Sequence, residues 1–255
     1  MILAIDIGNT NIVVGGIEDE KVLFIERLST NRYATTLEYT VLFKSVLELN
    51  GYSEKDLSGG IISSVVPSVT SLTKAAVTKL TGKETLVLGP GIKTGLKIAI
   101  DNPAQAGADL VAGAVAAVND YPCPLIIVDM GTATTVTVVD ENKNFIGGMI
   151  MPGLRVSLES LTSSTSQLPN ISLDPPDKII GTNTVDCMKS GLIYGNAAAI
   201  EGVIERMENE LGSKCTVVAT GGLAPVIAPL CKKDIIVDDM LLLKGLMIIY
   251  NKNRG

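Results

Sequence analysis

The sequence contains the same short pattern twice, an aspartate followed two residues later by a glycine at the end of an apolar run. Asp6-Ile7-Gly8 follows an apolar run that begins at residue 2, and Asp129-Met130-Gly131 follows another that begins at residue 125. The two aspartates are 123 positions apart (129 − 6). In both places a polar turn comes next and a further apolar run follows it. At this spacing Gly8 falls on Gly131, Asn9 on Thr132, Val13 on Val136 and Glu18 on Glu141.

Each copy of the pattern predicts two β-strands joined by a tight turn, because β-rich apolar runs favour strands and glycine favours turns. A period this long excludes a solenoid, whose repeats are much shorter. The sequence therefore predicts two similar α/β halves, residues 1–120 and 121–255, with a ligand cleft between them. The alternative is a chance similarity between two buried hairpins.

The composition limits the chemistry and the partners of the protein. Its net charge of -6, with 27 acidic and 21 basic residues, argues against nucleic acid and anionic membranes as partners. The absence of histidine leaves a carboxylate, Lys, Tyr or Cys as a general base. The four cysteines have no Cys-x-x-Cys spacing, which predicts reduced core residues. The sequence opens on a predicted strand without a leader, so we expect a cytoplasmic protein.

The first polar turn, Gly8-Asn9-Thr10-Asn11, has the residue types of an anion-binding turn. A glycine lets backbone N–H groups approach phosphate oxygens, and the neutral side chains add further donors. Asp6 cannot bind phosphate itself, and we expect it to hold Mg²⁺, through water, as carboxylates do in phosphoryl-transfer sites. An ordinary hairpin with Asp and Asn in its turn is the alternative interpretation.

The second turn repeats this chemistry with hydroxyl groups in place of amides, in Asp129-Met130-Gly131-Thr132-Ala133-Thr134. Both turns resemble the phosphate-binding hairpins of the superfamily that contains actin, Hsp70 and the sugar kinases. Together they resemble type III pantothenate kinase in particular. The resemblance extends over nearly the whole chain, through Gly107-Ala108-Asp109, Gly147-Gly148-Met149-Ile150-Met151-Pro152-Gly153, Leu168-Pro169, Gly181-Thr182-Asn183-Thr184 and Thr220-Gly221-Gly222-Leu223.

The resemblance implies a fold of duplicated actin-like (ribonuclease H-like) halves with mixed sheets. It also implies ATP-dependent phosphorylation of the primary hydroxyl of pantothenate, with Mg²⁺ and a monovalent cation, K⁺ or NH₄⁺. A homodimer is implied, in which Thr184 reaches pantothenate across the interface. Asp109 resembles the catalytic base, Asp129 a ligand of the monovalent cation, and Gly221 and Gly222 part of the adenosine turn. The implied ATP-binding set is Asp6, Ile7, Gly8, Asn9, Thr10, Asn11, Ile12, Val13, Gly131, Thr132, Thr134, Gly221 and Gly222, and the implied acceptor set is Gly107, Ala108, Asp109, Leu110, Thr184 and Ile100.

The residues around Asp109 by themselves favour a different role. Asp109 precedes the run Val111–Val118, which has the pattern of a buried helix, and aspartate often caps such a helix. Only the family context reverses this preference and makes Asp109 a base. A carboxylate suffices there, because phosphoryl transfer depends mainly on positioning and charge stabilisation.

The sequence departs from the family pattern at two acceptor positions. Leu110 stands where an arginine is usual, and Ile100 stands where many members have tyrosine. A lost charge-assisted hydrogen bond costs about 1.5–3 kcal/mol, so the acceptor is less firmly predicted than the kinase chemistry. Three explanations are open. Another donor, such as Thr184, a nearby lysine or backbone amides, holds the pantothenate carboxylate; the acceptor is a different small alcohol; or the protein is a nucleotide-binding regulator with little kinase activity.

Overall fold

The computed structural model describes residues 1–19 and 21–254, which form two compact units. Unit 1 comprises Met1–Asn119 and Met240–Gly255, and unit 2 comprises Asp120–Asp239. The strands are β1 Ile2–Ile7, β2 Asn11–Glu18, β3 Lys21–Ser29, β4 Gly59–Ser64, β5 Thr85–Val87, β6 Lys97–Ile98, β7 Leu125–Met130, β8 Ala133–Val139, β9 Asn144–Pro152, β10 Thr216–Thr220 and β11 Ile236–Val237. The α-helices are α1 Thr36–Leu49, α2 Pro67–Thr81, α3 Ala108–Asp120, α4 Leu154–Ser164, α5 Thr184–Leu211, α6 Ala224–Ile227 and α7 Leu241–Asn253.

Unit 1 is built on a mixed sheet with the strand order β3-β2-β1-β4-β5. The pairs β1-β2 and β2-β3 are antiparallel, whereas β1-β4 and β4-β5 pair in parallel. Because side chains alternate along a strand, β1 packs against two separate apolar clusters. Leu3 and Ile5 belong to the cluster that contains residues of α1 and α2, and Ala4 belongs to the cluster that contains residues of α3 and α7. The sheet is therefore covered by helices on both faces.

Unit 2 repeats this arrangement with the strand order β9-β8-β7-β10-β11. Strands β7, β8 and β9 are antiparallel, and β7-β10 and β10-β11 are parallel, as in the first unit. Strands β1 and β7 also have the same alternation of buried and half-buried positions. The predicted fold class, duplicated actin-like halves with mixed sheets, is confirmed.

The spacing of the repeat changes within the turn. In unit 1, Ile7 pairs with Ile12, but in unit 2 the equivalent Met130 pairs with Thr134, so the second turn is one residue shorter. Along β2 and β8 the equivalent positions are thus 122 apart, and Val136 corresponds to Val14. The predicted matches of Val13 with Val136 and of Glu18 with Glu141 are wrong by one residue. Sequence spacing could not detect this, because a turn can lose a residue while both flanking strands keep their apolar pattern.

Two other features differ from what the sequence predicted. Helix α7, placed by the sequence in the half 121–255, belongs to unit 1, where Leu243 and Leu246 are buried in the cluster with Ala4. Its apolar pattern requires a buried face but does not specify which sheet it covers. Cys187 is exposed, so its prediction as a core residue is wrong. Among the described residues, no helix is both long and apolar enough to cross a membrane.

A buried carboxylate stabilises the junction between α5 and β10 in unit 2. Glu208 is only 5% exposed, and it accepts hydrogen bonds from Lys214 (2.9 Å), the N–H of Cys215 (3.1 Å) and Lys233. Burial alone would raise the pKa of Glu208, but the two ammonium groups and the amide outweigh it and lower the pKa to about 2. The carboxylate therefore remains charged in the folded protein over most of the acid range.

Candidate active site

The first polar turn, residues 8–11, is closed by its own backbone and held from outside by β3. The N–H of Gly8 donates to the carbonyl of Asn11 (2.9 Å). Just after β3, the hydroxyl of Thr30 donates to the carbonyl of Gly8 (2.7 Å), and its N–H donates to the carbonyl of Thr10 (3.0 Å). These bonds engage three of the turn's carbonyls, which favours presentation of donors rather than acceptors to a ligand.

The side chains of this region divide into exposed and buried groups. Ile7 and Ile12 are fully buried, so these two predicted ATP-binding residues can reach a ligand only through their main chain, whereas Val13 is half-buried. The polar side chains between them are exposed, namely Asn9, Thr10 and Asn11. Asp6 is half-buried at the end of β1.

An arginine that the sequence analysis missed lies beside this turn. A guanidinium N–H of Arg32 donates to the side-chain oxygen of Asn9 (3.0 Å), and both side chains are exposed. Arg32 follows Thr30 by two residues and thus belongs to the segment that is bonded to the turn. The turn therefore has a cationic neighbour.

The second turn, residues 131–132 with Ala133, is closed in the same way. The N–H of Gly131 donates to the carbonyl of Ala133 (3.1 Å). Thr132 is exposed at the tip, whereas Thr134, which pairs with Met130 inside the sheet, is only 2% exposed. Of the two threonines predicted to bind ATP, Thr132 thus has a side chain open to solvent.

Asp129 lies against the turn that follows β10. Thr220 pairs with Asp129 in the parallel register, and Gly221 comes next with φ +91°, a conformation that favours glycine. A Cβ at Gly221 would lie 2.5 Å from the Oδ1 atom of Asp129 and 2.7 Å from the nitrogen of Met130. The structure thus brings the predicted adenosine turn into direct contact with the predicted cation ligand. Gly222 is exposed beside it.

The segment after β9 makes a similarly close contact with the second turn. A Cβ at Gly153 would lie 2.2 Å from the carbonyl oxygen of Thr132 and 2.6 Å from that of Gly131. Only glycine can occupy this position without displacing the turn. The segment Met151-Pro152-Gly153 therefore packs directly against the second turn. In the same way, Thr30 is hydrogen-bonded to the first turn.

A hydroxyl group lies next to each strand-end aspartate, on the neighbouring parallel strand. Ser63 pairs with Asp6, and Thr220 pairs with Asp129. Residues in register on parallel strands point to the same face of the sheet. Ser63 is fully buried, and its hydroxyl has no hydrogen-bond partner among residues 1–19 and 21–254. An ordered water or ion is one kind of partner that satisfies such a buried hydroxyl.

Asp109 lies in the first turn of α3, on the same sheet face as Asp6. Ala108 and Val111 pack in the apolar cluster that contains Ala4, two residues before Asp6. Burial raises the pKa of the Asp109 carboxyl above its usual range, although an N–H of Leu110 donates to it (2.8 Å). Because α3 already begins at Ala108, Asp109 is not the N-cap residue, but its carboxylate accepts an N–H from the first turn of that helix, so a helix-capping role stays the alternative to the catalytic one.

The other predicted acceptor residues around Asp109 offer no charge. The carbonyl of Gly107 accepts the N–H of Val111 (3.0 Å) and is engaged in the helix. Ala108, Leu110 and Ile100 are half-buried and apolar. Nothing at these positions replaces the charge of the usual arginine.

An open depression lies at the start of α5 in unit 2. Asn183 caps this helix by accepting the N–H of Asp186 (2.9 Å), and Thr184 is its first residue. The depression measures about 590 Å³ and is lined by Leu168, Gly181, Thr182, Asn183, Thr184, Cys187 and Met188. Its polar lining is neutral, with hydroxyl and amide donors that suit a small polar ligand.

No group of three or more His, Cys, Asp or Glu that could hold a metal ion occurs in the described part of the chain. Asp6 and Asp129 are therefore candidates for single carboxylate ligands. Mg²⁺ is commonly held in this way in phosphoryl-transfer sites, by one or two carboxylates together with waters and substrate phosphates.

Two units with the same strand order, each with an aspartate ahead of a glycine turn, define a duplicated actin-like fold. The activator of the 2-hydroxyisocaproyl-CoA dehydratase from Clostridium difficile, solved with bound ADPNP, has this fold. It aligns with a TM-score of 0.52 at 16% identity, covering 98% of this chain and 93% of that chain.

Sequence comparison identifies the family. The sequence model of type III pantothenate kinase matches residues 2–206. The type III pantothenate kinases of Bacillus cytotoxicus and Halalkalibacterium halodurans are 44% and 43% identical to this chain over 253 residues. These alignments cover 99% of this chain and 97% and 100% of the two relatives. The chain belongs to the type III pantothenate kinase family, which confirms the resemblance found in its sequence.

Proposed function

We propose that the protein transfers the γ-phosphoryl group of ATP to the primary hydroxyl of pantothenate and forms 4'-phosphopantothenate, the first step of coenzyme A biosynthesis. Identity of 43–44% to type III pantothenate kinases over 99% of the chain carries this proposal. The two glycine turns support it, since both have exposed donors and closed backbones. We further propose that the protein acts in the cytoplasm, that ATP and pantothenate are its substrates, and that it has no nucleic acid or membrane partners.

In this proposal the two turns supply the phosphate-binding groups. Asn9, Thr10 and Thr132 are exposed at the tips of the turns and can donate to phosphate oxygens. The close contact between Gly221 and Asp129 supports an adenosine-binding role for the turn at Gly221. Positioning and charge stabilisation of this kind account for most of the catalysis of phosphoryl transfer.

The donor set fits the proposed cations. Asp6 would hold Mg²⁺ through water, and the orphan hydroxyl of buried Ser63 beside it could bind such a water. Asp129 would hold K⁺ or NH₄⁺ with its carboxylate. Bound Mg²⁺ would neutralise charge on the transferred phosphoryl group. The carboxylates of Asp6 and Asp129 would keep these two ions beside the glycine turns.

Asp109 is the proposed general base. Burial raises its pKa, and a carboxylate that is not fully solvated is a better proton acceptor than one in water. It would accept the proton of the pantothenate hydroxyl as that oxygen attacks the γ-phosphorus. Its place in the first turn of α3 gives the carboxylate a fixed backbone.

We propose that neutral donors hold the pantothenate carboxylate in place of the usual arginine. The depression at the start of α5 supports this, because Thr182, Asn183 and Thr184 line it and none of them is charged. In a homodimer, Thr184 would reach the acceptor of the partner subunit. Hydrogen bonds from neutral groups are weaker than those from arginine, so we expect a higher KM for pantothenate than in relatives that retain the arginine.

Coupled release of ADP tests this function. The wild-type protein should release ADP only when pantothenate, ATP and Mg²⁺ are all present, with stimulation by K⁺ or NH₄⁺. Asp109→Asn should lower turnover by about 10²- to 10⁴-fold while ATP still binds. Leu110 favours the second candidate, a nucleotide-binding regulator. Saturable ATP binding without turnover on pantothenate or other small alcohols would support the regulator and reject the kinase.

A further inference from the structure

Arg32 has an unneutralised charge next to the first phosphate turn. Its guanidinium donates to a neutral amide oxygen, that of Asn9 (3.0 Å), and it forms no ion pair with any residue in the described ranges 1–19 and 21–254. A guanidinium has five N–H donors in a planar fork, so several remain available. An exposed arginine held by a neutral group at an anion-binding turn has the chemistry to receive a phosphate.

The backbone that carries Arg32 is fixed on both sides. Thr30 is bonded to Gly8 and Thr10, as described above. On the other side, the carbonyl of Asn31 accepts the hydroxyl of the fully buried Tyr39 (2.8 Å). Thr35 then begins α1 with a capping box formed with Glu38. The arginine therefore projects from an ordered segment, which lowers the entropic cost of using it in binding.

The internal repeat places a second arginine at the equivalent position. Ser29 pairs with Asn11 at the end of β3, and Pro152 pairs with Ala133 at the end of β9, so Ser29 corresponds to Pro152. Three residues further on in each unit is an arginine, Arg32 or Arg155. Arg155 is also exposed and is likewise in no ion pair within the described part of the chain.

We propose that Arg32 is a phosphate-binding residue of the first turn and that Arg155 has the same role for the second turn. This inference rests on the proposed function and deepens it. The guanidinium of Arg32 donates one N–H to Asn9, which orients the fork, and its remaining N–H groups bind oxygens of the polyphosphate chain of the nucleotide. The ligand class is a linear polyphosphate, and the nucleoside is recognised elsewhere.

Titration with inorganic tripolyphosphate tests this directly, by calorimetry at one fixed ionic strength. Arg32→Gln should weaken the Kd about 10- to 100-fold, the range expected for a charge-assisted hydrogen bond. Arg32→Lys should recover part of the affinity, because lysine keeps the charge but lacks the fork. Arg155→Gln should also weaken binding. The matched control is Arg206→Gln, since Arg206 is exposed and donates to a neutral carbonyl, that of Gly202 (2.7 Å), on α5.

Adenosine binding should be the same in Arg32→Gln and wild type, and the urea midpoint should not change. The proposal is overturned if Arg32→Gln binds tripolyphosphate as tightly as wild type, or if Arg206→Gln weakens binding equally. Wild-type protein that does not bind tripolyphosphate would also overturn it. Arg32-dependent binding in a protein that cannot phosphorylate pantothenate would reject the proposed function alone and leave the phosphate-binding role standing.

Discussion

The contact between Gly221 and Asp129 leads to a prediction with a calculable size. In Gly221→Ala the new Cβ would lie 2.5 Å from the Oδ1 of Asp129, 2.7 Å from the nitrogen of Met130 and 2.8 Å from its carbonyl carbon. The carboxylate can rotate, but the two backbone atoms belong to β7 and cannot. The residue would also keep φ near +91°, which L-residues other than glycine rarely adopt.

The two effects add. The left-handed conformation costs about 1–2 kcal/mol for alanine, and overpacking against backbone costs about 1–3 kcal/mol. Gly221→Ala should therefore lower the free energy of unfolding by about 2–5 kcal/mol. Gly212→Ala provides the control, because Gly212 has φ +69° but no atom within 4 Å of its added Cβ. It should show only the conformational cost, about 1–2 kcal/mol.

Urea unfolding of the two variants and the wild type at neutral pH measures both costs. We also expect Gly221→Ala to bind ATP more weakly, since the end of β7 and the second turn must shift to admit the methyl group. Gly212→Ala, at the C-terminal end of α5, should bind ATP normally. If Gly221→Ala were no less stable than Gly212→Ala and bound ATP as well, the proposed packing of this turn against Asp129 would be wrong.

Three further variants follow from single contacts. Burial raises the pKa of Asp109, so the stability that the protonated carboxyl contributes is lost as the pH rises through that pKa. Asp109→Asn should therefore have a higher free energy of unfolding in urea than wild type at pH 7. This difference should vanish in acid. Glu208→Gln should lower the free energy of unfolding by about 1.5–3 kcal/mol at pH 7. This loss should shrink as the pH falls from 4.5 towards 2, because the carboxylate of the wild type is then protonated. A loss that does not depend on pH would contradict the pairing of Glu208 with its two lysines. Thr30→Val should lower the free energy of unfolding by about 1 kcal/mol and raise the KM for ATP, because the hydrogen bond from the Thr30 hydroxyl to Gly8 holds the first turn. Thr30→Ser keeps the hydroxyl and should have wild-type stability and KM.

The duplicated fold could be predicted from the sequence because it depends on a local signal that occurs twice. An apolar strand, an aspartate and a glycine turn were visible at both Asp6 and Asp129, and the strand order of the two units confirms their equivalence. The spacing after the turn was wrong by one residue because turn length leaves no trace in the apolar pattern. Which sheet helix α7 covers was equally invisible, since periodicity predicts a buried face and not its partner.

Arg32 shows a signal that was present but not used. It lies 123 positions before Arg155, the spacing that relates the two aspartates, so the repeat itself marked the pair. Ser63 carried no such signal. Its importance depends on a register between distant strands, β1 and β4, and on the lack of a partner among the described residues. Neither property can be derived from local sequence.

Asp109 differs from Arg32 and Ser63, because neither the internal repeat nor sequence spacing distinguishes it from an aspartate that caps a helix. Phosphate groups can use two similar turns, whereas a transfer reaction has one attacking hydroxyl and needs one proton acceptor. The structure adds a physical reason to the family resemblance: Asp109 lies one residue inside α3, on the sheet face of Asp6, where burial raises its pKa.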